Sequence, residues 1–271
     1  MKKNLIVVCL AGLSLQSFAV KLPSVFSDNM VLQRGKNVPV WGTGAPGEKV
    51  SVEFAGQKKA TTTGKNGRWR INLEKMAASR KNQVMTVTGN NIIKIKNVLV
   101  GDIWLCAGQS NMQYSLRGIT GGKELVKAAN NPAIRLLNIK RTWSRTPTSD
   151  QKSTWHQCTP KTVRGFPAVG YIVGRELEKE AGVPIGLIGI AWGGCRIEAM
   201  TSRESYREAK VNQQQINGFE KSLAKMDKTP DDKLRRDKQR LPSVLFNAMV
   251  HPLSPYQVRG MIWYQGEDNH S

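Results

Sequence analysis

Ser110, in the run Gly108-Gln109-Ser110-Asn111-Met112, has the setting of a nucleophile. The preceding apolar stretch, Ile103-Trp104-Leu105-Cys106-Ala107, reads as a strand. The small-residue turn after it presents the hydroxyl at the mouth of a sheet, where a base and backbone donors can converge. A serine after a strand also caps the helix that follows, so the pentapeptide by itself leaves both roles open. Two further segments favour the chemical one: Trp192-Gly193-Gly194 and Trp263-Tyr264-Gln265-Gly266-Glu267, each following an apolar run. Acyl transfer needs a nucleophile and at least two donors aimed at the oxygen on which negative charge develops. Ser110 offers its hydroxyl and its own N–H, Gly194 in preference to Gly193 a bare backbone N–H, and Gln265 a side-chain amide.

These groups need a scaffold that brings three distant segments together. Beyond Gly101 the chain alternates apolar strands, at 134–139, 183–191 and 258–264, with helix-length segments at 169–180 and 244–250. That alternation predicts a parallel sheet, and in open parallel sheets the reactive groups collect outside the carboxyl ends of the strands. Residues 202–240 are charged, glutamine-rich and interrupted by Pro230, which reads as a helical surface insertion. Residues 20–100 have a different period. Val50, Val52 and Phe54 alternate with polar neighbours, as do Trp69, Ile71 and Leu73, and Asn66-Gly67 suits a tight hairpin turn. A small antiparallel β-sandwich is expected there, with Trp41 and Trp69 serving the core in preference to stacking on a sugar.

An apolar content of 39% suits a globular protein. Lys2 and Lys3 precede an apolar stretch and Ser17-Phe18-Ala19, so residues 1–19 read as a cleaved export leader, too short to span a membrane. Cys9 sits too early for a lipid anchor, and export to the periplasm or beyond is expected. The +21 net charge falls to +19 without the two leader lysines. That excess favours anionic partners, but the cations are dispersed apart from 233–238 and lack the aromatic interleaving of a nucleic-acid platform. Cys106, Cys158 and Cys195 are an odd count, expected as buried free thiols, and no zinc-site spacing occurs.

Taken together, four blocks resemble the sialate O-acetylesterases of the SGNH hydrolase group: residues 22–33, 101–112, Trp192-Gly193-Gly194-Cys195-Arg196-Ile197-Glu198-Ala199 and Ile262-Trp263-Tyr264-Gln265-Gly266-Glu267. The resemblance implies a flavodoxin-like α/β/α domain over 101–271, preceded by the small β domain. It implies removal of acetyl groups from sugar hydroxyls without a metal or other cofactor. Ser110 is then the nucleophile, Gly194 and Gln265 complete the oxyanion hole, and Asn111 and Glu267 support them. It also implies an Asp-x-x-His downstream of the Gln-Gly-Glu block, and no Asp-x-x-His occurs in these 271 residues. His156 and His251 have settings that suit structural roles, and His270, two residues after Asp268, stands one residue short of the required spacing. The chain is therefore expected to be a fragment of a longer esterase, poor in turnover without its base. Acetylated sialic acid is the leading substrate, with Arg196 a candidate for its carboxylate against a surface ion pair. A xylan or other polysaccharide acetylesterase and a non-catalytic glycan-binding protein are the competing readings.

Overall fold

The computed structural model describes residues 19–209, 213–234 and 238–269. All but the last residue of the expected leader, together with His270 and Arg235-Arg236-Asp237, lies outside the described residues. The N-terminal half is made of strands β1 (Val31–Gln33), β2 (Val38–Thr43), β3 (Lys49–Phe54), β4 (Gln57–Thr62), β5 (Arg68–Leu73), β6 (Ser79–Thr88) and β7 (Ile92–Gly108). Alternation sets their faces. In β5, Trp69, Ile71 and Leu73 are buried while Arg68, Arg70 and Asn72 are exposed. Strands β2 and β5 form a two-stranded antiparallel sheet; β4, β3, β6 and β7 lie side by side in a larger one. The Asn66-Gly67 turn is tight, with Gly67 N–H donating to the Gly64 carbonyl at 2.9 Å, yet it is not a hairpin. The strands it joins pair elsewhere, β4 with β3 and β5 with β2, so the turn carries the chain from one sheet to the other.

Strand β7 is the spine of the molecule. Over its first half it pairs antiparallel with β6, and over its second half parallel with its later neighbours, so the expected boundary between residues 100 and 101 falls inside one unbroken strand. The remaining strands are β8 (Asn131–Asn138), β9 (Trp155–Cys158), β10 (Ile185–Ala191) and β11 (Gly260–Tyr264). In the second half, β11, β7, β10 and β8 run parallel in that order and β9 closes one edge antiparallel. The fold is mixed α/β around this large sheet.

Every residue of β10 is buried because both faces of the sheet are covered. Ile185 and Leu187 share one apolar cluster with Cys106, Ile134 and Tyr171, whereas Ile188 and Ile190 share the other with Ile103, Val244 and Met249. The first face is covered by α4 (Ala168–Ala181), which follows α1 (Ser110–Gln113), α2 (Gly122–Ala128) and α3 (Pro160–Val163). Helix α4 lies close to the sheet. A Cβ at Gly170 would come within 2.5 Å of Cys106 Sγ, and one at Gly174 within 2.6 Å of a Leu187 methyl. The second face is covered by the segment 244–253 and, from the insertion, α6 (Arg203–Glu208) and α7 (Gln213–Lys228); α5 (Ile197–Met200) precedes them. The helix expected over 244–250 is present, but Phe246–Val250 is a π-helical turn. Pro252 has no N–H with which to extend an α-helical ladder. At the other edge, β11 pairs among the described residues only with β7, and Met261, Trp263 and Tyr264 on it are exposed.

Two polar clusters fasten the N-terminal strands to the sheet. Arg135 is 1% exposed, and its guanidinium donates to the carbonyls of Pro132, Asn29 and Asn97 and to the side-chain oxygens of Asn29 and Asn97. Burial holds its pKa down at about 10, so it remains a cation at neutral pH. Arg135→Ala removes five donated contacts, although Asn29 Oδ1 keeps Asn97 Nδ2 as a donor at 2.7 Å, and each bond to a buried charged group contributes on the order of 1.5–3 kcal/mol. A loss of about 3 kcal/mol in urea denaturation is expected, since water fills part of the gap.

The second cluster centres on Asp102, 5% exposed, whose carboxylate accepts from Arg34 Nε and Nη2 at 3.0 and 2.8 Å and from Gln33 Nε2 at 2.9 Å. Burial alone would raise the Asp102 pKa; the bonds from Arg34 and Gln33 outweigh it and hold it below the usual carboxylate value. A lowered folded-state pKa stabilises the protein above the unfolded value, near 3.9, and that contribution disappears as pH falls through the folded value. Stability measured by denaturation between pH 6 and pH 2 should therefore drop on acidification. In Asp102→Asn that part of the slope is expected to vanish, with about 1–2 kcal/mol lost at neutral pH, a modest figure because Arg34 is partly solvated.

Candidate active site

Register brings three strand ends to one level. Gly108 pairs with Ala191 of β10 on one side and with Tyr264 of β11 on the other, so Gln109, Trp192 and Gln265 all leave the sheet together. The approach at β11 is so close that a Cβ on Gly108, at φ +150°, would lie 2.0 Å from the Tyr264 carbonyl oxygen. Gln109 N–H donates to that oxygen at 3.0 Å, and Trp192 N–H donates to the Gly108 carbonyl at 3.2 Å. The chain then turns into the short helix α1, with Ser110 exposed as its first residue. Among the described residues the Ser110 hydroxyl has no hydrogen-bond partner, and its backbone N–H has no acceptor.

The first of the tandem glycines lies against the serine. A Cβ at Gly193 would sit 3.5 Å from Ser110 Cβ. Gly193 N–H is occupied, donating to Gln113 Oε1 at 2.6 Å. Gly194, at φ +72°, keeps its N–H without an acceptor among the described residues, while its carbonyl accepts from Arg240 Nε at 3.1 Å. Gln265 is close by, but its amide is engaged: Nε2 donates to the Cys195 carbonyl at 3.3 Å and to Asn269 Oδ1 at 2.6 Å. Asn111 Nδ2 donates to Glu267 Oε1, tying α1 to the segment after β11.

A family model described as carbohydrate esterase, sialic acid-specific acetylesterase, matches residues 100–271. The chain belongs to this acetylesterase family. Sialate O-acetylesterase of Homo sapiens is 31% identical over 269 residues, covering 92% of this chain and 49% of the human protein. That of Mus musculus is 30% identical over 283 residues, covering 92% of this chain and 52% of its own length. The crystal structure of a carbohydrate acetylesterase from Xanthomonas citri superposes with a TM-score of 0.79 at 34% identity, over 93% of this chain and 52% of that one. The chain spans about half the length of the curated relatives it matches.

In this member of the acetylesterase family neither described histidine hydrogen-bonds to Ser110. His251 Nδ1 lies 2.9 Å from the Thr148 carbonyl, and His156 lies in β9 at the far edge of the sheet. Arg196, weighed against a surface ion pair, has no carboxylate partner among the described residues, and its Nε is buried without a hydrogen bond. Several neighbours of the site escaped sequence reasoning. Gln109 Oε1 accepts from the N–H groups of Gly266 and Asp268 at 3.3 and 3.4 Å, clamping the turn after β11. Asn269 accepts from Ile197 N–H and donates to Glu198, fastening that turn to α5. Arg240, at the end of the insertion, donates to Asp268 at 2.6 Å and so brings 202–240 to the rim of the site. The glutamines at 109 and 113, one on each side of Ser110, were the available signal: amides beside a nucleophile organise backbone donors.

Cys106, Cys158 and Cys195 are buried free thiols. Burial pushes Cys106 and Cys195 up to about 12 and Cys158 up to about 11, so none is a thiolate at neutral pH. Among the described residues no group of three metal-ligating side chains is placed to hold an ion, and no helix is long and apolar enough to cross a membrane.

Proposed function

We propose that this chain carries the nucleophile and oxyanion hole of an exported SGNH-type sialate O-acetylesterase. The observation that carries this reading is that the backbone donors Ser110 N–H and Gly194 N–H have no acceptor among the described residues, while the exposed Ser110 lies against the tandem-glycine turn, in a chain of an acetylesterase family. Ser110 Oγ attacks the acetyl carbonyl carbon while the two N–H groups hold the oxygen that becomes negative. Gln265 adds a third donor when its amide turns from Asn269. Collapse expels the sugar hydroxyl and leaves acetyl-Ser110, which water hydrolyses to acetate. Asn111 and Glu267 hold α1 and the turn after β11 in mutual position. Arg196, free of a carboxylate partner among the described residues, receives the carboxylate of sialic acid.

The proton acceptor for Ser110 belongs to an Asp-x-x-His segment that these 271 residues do not contain. The apolar residues exposed on β11 offer that segment a surface beside the site. Burial on both faces of β10 supports a flavodoxin-like three-layer domain, and the two sheets of the N-terminal strands support a small β-sandwich over 20–100. The test is acetate release from O-acetylated sialic acid and from acetylated xylan, by protein carrying the Asp-x-x-His. Preference for the sialate is expected. A preference for xylan overturns the substrate, and glycan binding with no acetate released overturns catalysis. Turnover by the 271-residue chain that survives His251→Ala and His270→Ala overturns the missing base.

A further inference from the structure

A second cleft, of about 640 Å³, lies between the outer face of the β2–β5 sheet and the segments 147–150 and 251–255. None of its lining residues hydrogen-bonds to Ser110, Gly193, Gly194 or Gln265. The period-two pattern of β5 puts Arg68 and Arg70 side by side on that face, and the ladder sets Trp41 directly opposite Arg70. Lys21 lines the same wall. Among the described residues none of these three cations meets a carboxylate: Arg70 Nε donates to Asn72 Oδ1, and neither the Arg68 nor the Lys21 side chain has a partner. Asp150, the acid of the cleft, is already committed to Ser24 N–H and Oγ–H at 2.7 and 2.9 Å. Trp41 packs edge-on against Phe26 at 4.6 Å and keeps part of its ring accessible, whereas Trp69 is buried at 4% exposure.

We propose that this cleft binds a carboxylate-bearing oligosaccharide, stacking a sugar ring on Trp41 and pairing its carboxylates with Arg68 and Arg70. An indole face takes the C–H side of a sugar, and guanidinium groups two residues apart on a strand, roughly 7 Å, match charges that repeat along an acidic glycan. The volume falls in the range of roughly 300–1,000 Å³ typical of ligand sites. Such a cleft holds the glycan at a distance from the reacting acetyl group. It stands independently of the role proposed for Ser110.

The probe is non-acetylated tetrameric α2,8-linked sialic acid, titrated calorimetrically into the 271-residue chain at moderate salt. The titration is made in an Arg196→Gln background, which removes the carboxylate contact proposed beside Ser110; adding Arg68→Gln/Arg70→Gln there is expected to weaken binding at least tenfold. Both arginines are exposed, so the thermal melt of the double variant should match that of the parent. Trp41→Phe is expected to weaken binding while retaining the packing on Phe26. No binding by the Arg196→Gln protein, or an affinity unchanged on adding Arg68→Gln/Arg70→Gln to it, overturns the proposal. Equal affinity for a neutral tetrasaccharide, or for a sulfated oligosaccharide without carboxylates, overturns the carboxylate specificity. None of these readouts needs turnover, so a failed esterase assay leaves the outcome readable.

Discussion

Ser110→Ala is expected to lower acetyl-ester hydrolysis at least a thousandfold, in protein that carries the Asp-x-x-His segment. The substitution removes the hydroxyl proposed to form the acyl intermediate, and a hydroxyl with no hydrogen-bond partner among the described residues makes no contribution to the fold there. In serine hydrolases loss of the nucleophile costs up to about a millionfold in kcat, while donors that hold the oxyanion retain roughly 10³–10⁴ over water. Residual activity well above solvent hydrolysis should therefore persist, and abolishing it should require disrupting the donors as well. Acetate release at saturating substrate checks this, with an unchanged melting temperature as the control. Activity within tenfold of the parent would remove Ser110 from the mechanism.

Gly108→Ala should be strongly destabilising, because a close backbone clash and an unfavourable backbone angle coincide at one residue. Its Cβ would lie 2.0 Å from the Tyr264 carbonyl oxygen and 2.6 Å from the carbonyl carbon, both backbone atoms that cannot swing aside. The residue also sits at φ +150°, a conformation that L side chains avoid. Overpacking and backbone strain each cost on the order of 1–3 kcal/mol, so a loss of about 3–5 kcal/mol is expected. Domain stabilities are roughly 5–15 kcal/mol, and the variant would be left marginal. Relief requires β11 to move away from β7, which also displaces Gln265 and Gly266 from the serine. Urea denaturation followed by circular dichroism measures the loss. Gly121→Ala, at φ +71° with no atom within 4 Å of its Cβ, isolates the backbone contribution and should cost about 1 kcal/mol. Similar losses for the two variants would mean that β11 does not press on Gly108.

The strands and α4 were legible because apolar periodicity is a local property. Val50-Ser51-Val52-Glu53-Phe54 buries alternate residues wherever it packs, and the unbroken apolar run of β10 demands cover on both faces. The Asn66-Gly67 turn was equally legible as a turn, but not as the link between two sheets. Pairing depends on which strands find each other, and no residue of the turn encodes that. The same limit hid the continuity of β7, whose two halves differ in their partners and not in their own pattern.

At the site, residue types and order alone picked out three segments that the strand register brings to one level: a serine after one strand, paired glycines after a second and a glutamine after a third. The tertiary structure decided what each is free to do. Gln113 reaches across 80 residues to occupy the N–H of Gly193 and leaves that of Gly194 open. Asn269 and the Cys195 carbonyl hold the Gln265 amide, and Arg196 is left without a carboxylate among the described residues. Spacing within a few residues dictates where a chain turns, but Gly193 and Gln265 are also held by groups 80 and 70 residues away, Gln113 and the Cys195 carbonyl. Only packing brings these within hydrogen-bond reach.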